Sequence, residues 1–142
     1  MSNKSTGNRF EADVCEILAR NGFWAHNMAQ NQYGQPADVI AAKNGIAYLI
    51  DCKDCARGYF ALDRVEDNQQ SAMDMWHACG NGTGWFALRY GQAIYMISLV
   101  DINTLRKNGV KMLCEEYFIK YGQGLCLEDW LWERLSHGNT CK

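Results

Sequence analysis

The stretch that most constrains this chain is a pair of apolar runs joined by a tight-turn signal. Residues 38–42 (Asp-Val-Ile-Ala-Ala) and 46–53 (Ile-Ala-Tyr-Leu-Ile-Asp-Cys-Lys) flank Lys43-Asn44-Gly45. Asn-Gly favours the positive φ values that a two-residue hairpin turn demands. The spacing therefore predicts two paired antiparallel strands. Side chains alternate along a strand, so Asp51 and Lys53 share a face with Ala47 and Leu49. Ile46, Tyr48, Ile50 and Cys52 point the other way, toward the expected core. Two opposite charges ending a half-buried strand cost desolvation unless they serve each other or a ligand.

Asp38 starts the partner strand and can face Asp51 across the pair, at a separation suited to sharing one hard cation. Two close carboxylates repel, and a divalent metal relieves that repulsion. The residues alone leave a second reading open, in which Asp38 caps a turn and Asp51 and Lys53 form a surface ion pair. Glu11 adds weight to the first. It lies at the edge of the apolar face that Phe10, Val14, Ile17 and Leu18 give a first helix, which Asn21-Gly22 closes. Gln69 adds more. Residues 62–79 are expected to form a helix with Leu62, Val65, Met73 and Trp76 on one face, and Gln69 falls near the centre of that arc. A buried amide needs partners; a rotated or partly exposed helix would remove the need.

Between these elements the pattern predicts a strand over 23–28 and a polar loop from Ala29 to Gln35 that ends at the only proline, Pro36. Apolar runs at 85–90 and 93–98 predict a second hairpin around Gly91. A helix is expected to start near Asp101 and another to cover 127–135. The order is α-β-β-β-α-β-β with C-terminal helices, an α/β fold with a mixed central sheet flanked by helices. At 142 residues, with no repeat, linker or shift of composition, the chain is read as one domain over 1–142. No apolar run approaches the roughly 20 residues that span a bilayer. The N-terminus lacks the apolar stretch of a secretory signal, so a cytoplasmic location without membrane attachment is expected.

Seven cysteines form no disulfide framework and read as small buried hydrophobes in a reducing compartment. Cys52-Lys-Asp-Cys55 matches C-x-x-C, but zinc would need two more ligands, for which His77-Ala-Cys79 is the one tight pair. The Trp130-Leu-Trp132 stretch could cover a dimer partner. A net charge of -2 gives no general electrostatic pull on nucleic acid, so any DNA contact must be a local patch. Seven of the 14 basic residues precede position 65, with Arg57 and Arg64 flanking the step from the charged strand to its helix.

Taken together, Glu11, Asp38, Asp51-x-Lys53 and Gln69 resemble the active site of the PD-(D/E)xK nucleases, most closely Holliday junction resolvases of the archaeal and RecU-like type. Gly7-Asn-Arg-Phe-Glu11 looks like their opening G-x-x-F-E. Pro36-Ala37-Asp38 stands for the "PD" with one residue inserted, and Asp51-Cys52-Lys53 for the "(D/E)xK". Residues 62–73 are similar to the helix in which a glutamine follows the catalytic strands, and 84–89 with 94–97 to the next hairpin. The twelve residues between Asp38 and Asp51 leave no room for the stalk of RecU-like enzymes.

The resemblance implies a restriction-endonuclease-like core and hydrolysis of phosphodiester bonds by water with magnesium or manganese. It assigns Asp38, Asp51 and the Cys52 carbonyl as metal ligands, and Glu11 to a metal or water shell. Lys53 would orient or activate water and offset charge on the phosphorane, with Gln69 supporting the site from its helix. Four-way DNA is the implied substrate, a homodimer the implied assembly, and Lys4, Arg9, Arg57 and Arg64 the candidates for gripping DNA. Two other functions share these features: a restriction-like or repair and replication nuclease of the same core, and a non-catalytic nucleic-acid-binding module.

Overall fold

The computed structural model describes residues 3–28 and 37–140, with side chains described over 9–28 and 37–135. The expected polar loop, Pro36 and the side chain of Lys4 lie outside the described residues. Asn44 and Gly45 make the turn, with φ of 55° and 80°. They join strand β2 (Val39–Lys43) to β3 (Ile46–Asp54) in antiparallel register, Val39 opposite Ile50 and Lys43 opposite Ile46. Strand β1 (Trp24–Asn27) adds to the outer edge of β2. On the inner side β3 pairs in parallel with β5 (Trp85–Tyr90), which pairs antiparallel with β6 (Ala93–Ser98).

A parallel neighbour requires a crossover. It runs through the short strand β4 (Tyr59–Ala61), a 3-10 turn (Leu62–Arg64) and helix α2 (Asp67–Ala78). Helix α1 (Asn3–Arg20) packs against β1, β2 and β3. The predicted order holds, with a mixed sheet of six strands ordered β1-β2-β3-β5-β6-β8. The two expected C-terminal helices are present, and short elements that the sequence analysis lacks lie between them. Helix α3 (Leu99–Lys107), capped by the Ser98 hydroxyl, begins two residues before Asp101. After it come β7 (Met112–Cys114), paired with β4 in a separate ribbon, α4 (Glu115–Ile119), β8 (Leu125–Cys126) and α5 (Leu127–Thr140).

Strand β3 is not half-buried as expected. Leu49 belongs to one apolar cluster with Phe60, Met73 and Phe86, whereas Tyr48 and Ile50 belong to another with Phe10, Val14 and Trp130. The crossover covers one face and α1 with α5 the other, so both sides of the strand are core. Ile46, expected in the core, is exposed at the hairpin end. Trp130 is fully buried rather than available to a partner, while Trp132 stands exposed. The Arg134 guanidinium lies 3.9 Å from the Trp130 ring centre and 4.8 Å from that of Trp85, which ties α5 to the sheet by cation–π contact.

The expected helix over 62–79 begins only at Asp67. Val65 is extended (φ -78°, ψ 103°) and Glu66 caps α2, so Leu62 and Val65 reach the core from the 3-10 turn and the residue after it. Trp76 is partly buried, and the buried residues of α2 are Gln69 and Met73. No helix among the described residues is long and apolar enough to cross a membrane.

Gly84 joins α2 to β5 by close approach. A Cβ at this position would lie 2.9 Å from the Met73 Cβ and closer still to its Cγ and Sδ. Gly84→Ala is expected to destabilise the protein by about 1–3 kcal/mol in a denaturant melt. Gly82→Ala, with open space around it, should stay within roughly 0.5 kcal/mol of the parent.

Candidate active site

The hairpin register brings the acidic residues together. Val39 pairs with Ile50, so Asp38 comes level with Asp51 at the mouth of the β2–β3 pair. The backbone N–H of Asp38 donates to the Ile50 carbonyl at 3.1 Å, and its Oδ2 accepts the Cys52 N–H at 2.8 Å. The carboxylate of Asp38 thus takes over a ladder bond at the strand end. This holds its side chain against the backbone on which Asp51 stands.

Asp51 is 1 % exposed. Its Oδ1 accepts a hydrogen bond from Gln69 Nε2 at 3.0 Å. Its Oδ2 lies 3.1 Å from Lys53 Nζ, an ion-pair distance, but the pair lacks hydrogen-bond geometry. Oδ2 is therefore a buried oxygen without a hydrogen bond. Burial, above all, pushes the Asp51 carboxyl up to about 8; Lys53 pulls it down and Asp38 adds to the rise. Glu11 reaches the same place from α1, 8 % exposed. Its carboxyl is raised to about 7, first by burial, then by the charge of Asp38 and a hydrogen bond with it; Lys53 opposes this.

Gln69 has two duties. Its Oε1 accepts the Glu66 N–H at 3.3 Å as one half of a capping box, and the Glu66 side chain accepts the Gln69 N–H as the other half. With Oε1 committed to the cap, the amide must present Nε2 to Asp51. The sequence reading placed Gln69 correctly near the core, but by way of Leu62 and Val65, which are not on the helix. The Glu66 cap was missed, although Glu66-x-x-Gln69 has capping-box spacing.

The structure thus gathers Glu11, Asp38, Asp51, Lys53 and Gln69 in one place. Arg9 on α1, Arg57 in the turn after β3 and Arg64 in the 3-10 turn are exposed, and among the described residues they form no salt bridge. Arg64 lies 5.5 Å from the Phe60 ring centre. Arg89, not singled out from sequence, bridges Asp54 and Asp13 beside the site. Its signal was a charge in the apolar run of β5.

Among the described residues no three His, Cys, Asp or Glu side chains are gathered tightly enough to form a complete metal cage. The donors that are present fit magnesium nonetheless. That ion keeps several waters and binds through one or two carboxylates together with substrate phosphate. The buried Asp51 Oδ2, which meets the Lys53 ammonium at 3.1 Å but takes no well-formed hydrogen bond, is the specific observation in favour, since such an oxygen keeps lone-pair capacity for a metal cation. A C-x-x-C zinc or redox role fails on geometry. Cys55 sits in the cluster on one face of the sheet and Cys52 packs against the cluster on the other, both as free thiols. His26 stacks on Trp24, with 5.9 Å between ring centres.

Comparison with known proteins bears on the family and the fold. The family model for the archaeal Holliday junction resolvase (Hjc) matches residues 2–134. None of the curated proteins matches the chain in sequence. In structure the chain is similar to Hjc of Archaeoglobus fulgidus, a Holliday junction resolvase from an archaeal hyperthermophile. The TM-score is 0.66 at 18 % identity, over 88 % of this chain and 99 % of that one. With the family model spanning nearly the whole sequence, this chain belongs to the archaeal Holliday junction resolvase family.

Proposed function

We infer that the chain is an endodeoxyribonuclease that resolves Holliday junctions, and that Glu11, Asp38, Asp51, Lys53 and Gln69 do its chemistry. The buried Oδ2 of Asp51, ion-paired with Lys53 but without a well-formed hydrogen bond and beside a second carboxylate, carries this reading. Asp38, Asp51 and the Cys52 carbonyl would hold magnesium or manganese, which supplies the positive charge that polarises the scissile phosphate and activates water. Lys53 keeps its ammonium at the same point and offsets charge that builds on the phosphate. Gln69 fixes the rotation of the Asp51 carboxylate, and Glu11 orders water at the third side.

The full set of acids and the lysine favours a working nuclease over a binding module, because folding alone does not require three buried carboxylates at one spot. Lys4, Arg9, Arg57 and Arg64 are the proposed grip on DNA. One nuclease domain over residues 1–142, acting in the cytoplasm as a homodimer, fits a substrate whose two strands are cut symmetrically.

The deciding experiment compares cleavage of a four-way junction with that of linear duplex and flap DNA in magnesium. Preference for the junction is expected; equal rates on linear duplex would move the reading to the repair or restriction-like alternative. Asp51→Asn should abolish cleavage while junction binding persists. Folded Asp51 holds its proton more tightly than unfolded Asp51, so its contribution is present below pH 3.8 and is lost as pH rises from there to about 8. Metal-free Asp51→Asn should therefore melt at a higher temperature than the parent at pH 8, and magnesium should narrow the gap by stabilising the parent alone. Gln69→Ala should lower turnover strongly and stability by roughly 1–3 kcal/mol. Gln70→Ala, whose amide meets only the exposed Asp74, should do little to either; equal small effects at both positions would remove Gln69 from the site.

A further inference from the structure

Arg89 stands in β5 opposite Asp54, one residue past Lys53 on the catalytic strand. Its Nη2 donates to Asp54 Oδ2 at 2.7 Å and its Nη1 to Asp13 Oδ2 at 3.3 Å. The guanidinium carbon lies 4.4 Å from the centre of the Phe10 ring. The side chain is only 19 % exposed. One cation thus ties the end of the sheet to helix α1 by two carboxylates and one aromatic face. A planar guanidinium can do this; a point charge does it less well.

What the tie controls follows from helical geometry. Phe10, 1 % exposed, faces the sheet. At 3.6 residues per turn, Glu11 and Asp13 fall on opposite flanks of Phe10. Glu11 meets Asp38 and Lys53 on one flank, and Asp13 meets Arg89 on the other. Apolar packing is non-directional and tolerates some roll of the helix about its axis. A charge-assisted bond on one flank does not. We propose that Arg89, with Asp13 and Asp54, is a positioning residue that sets the rotation of α1 and so holds Glu11 against Asp38 at the metal-binding end of β3. Two carboxylates and a ring occupy the guanidinium, which leaves little of it for a DNA phosphate. The inference rests on the resolvase reading, specifically on the part Glu11 plays in it.

The test uses Asp13→Asn, Arg89→Gln and Arg89→Lys in the full chain, each alone and combined with Glu11→Gln. Asp13 is 46 % exposed, so its substitution spares the fold even if Arg89→Gln weakens it. Three quantities are measured below the melting temperature: single-turnover cleavage of a four-way junction, junction Kd, and manganese affinity of the DNA-free protein. Asp13→Asn and Arg89→Gln should slow cleavage roughly tenfold to a hundredfold and weaken manganese binding, with junction Kd unchanged. Arg89→Lys should recover part of the loss. In the Glu11→Gln background the same changes should be nearly silent, which is the non-additivity expected of residues acting through one group.

Equal losses in both backgrounds would make Arg89 merely structural and overturn the proposal. A junction Kd that weakens in step with cleavage would overturn it in favour of a direct grip on DNA. Wild-type behaviour of Asp13→Asn and Arg89→Gln beside a crippled Glu11→Gln overturns the tie alone. An unimpaired Glu11→Gln overturns both the tie and the assignment of Glu11. A parent protein that cuts no junction contradicts the resolvase reading, and the manganese measurement then decides the tie.

Discussion

A carboxylate with 1 % of its surface exposed is an expensive thing to set into an apolar sheet. Asp51 sits at the point where β3 leaves the core, and the elements around it can be understood by what they do for that charge. The hairpin brings Asp38 level with it. The parallel step to β5 demands a crossover, and the crossover delivers α2 with Gln69 to one oxygen. Lys53, two residues on and on the same face, stands beside the other. These groups compensate the burial only in part, and the remainder appears as a raised proton affinity and an oxygen lacking a hydrogen bond. A fold selected for stability alone would place an apolar residue there.

Local signals explain what could be read from sequence. The β2–β3 hairpin is contiguous, its turn chemistry is strong, and its charged residues stand out against apolar neighbours. Glu11 was legible as an edge residue on a periodic helix, although its burial among acids was not. Strand β3 was misjudged as half-buried because its apolar residues on both faces look like alternation broken by chance. The β4–β7 ribbon was invisible for a different reason: Tyr59–Ala61 and Met112–Cys114 are three-residue segments that exist only by pairing across the chain. The tie between Asp13 and Arg89 spans 76 positions, and no periodicity reports such a contact. Gln69 was found through a helix drawn too long, whose true start depends on the cap at Glu66.

Charge raises a separate question, because a chain with net charge -2 must hold a polyanion. The structure shows how the basic residues divide. Arg20 pairs with Glu16, Lys43 reaches the Gly22 carbonyl, Arg134 is stacked among aromatics, and Arg89 pairs with Asp13 and Asp54. Arg9, Arg57 and Arg64 are exposed and form no salt bridge among the described residues, as is also true of Arg106, Lys107 and Lys111.

The amide of Gln69 has one more consequence. Its oxygen closes the first turn of α2 and its nitrogen closes the carboxylate of Asp51, so neither bond can be optimised without the other. First turns are where helices fray. Each time this one opens, the oxygen loses its partner, the amide is free to flip, and Asp51 Oδ1 loses the donor that Gln69 gives it. Helix fraying, ordinarily a harmless end effect, here reaches a buried carboxylate in the sheet, so the order of a single helical turn and the orientation of Asp51 are linked.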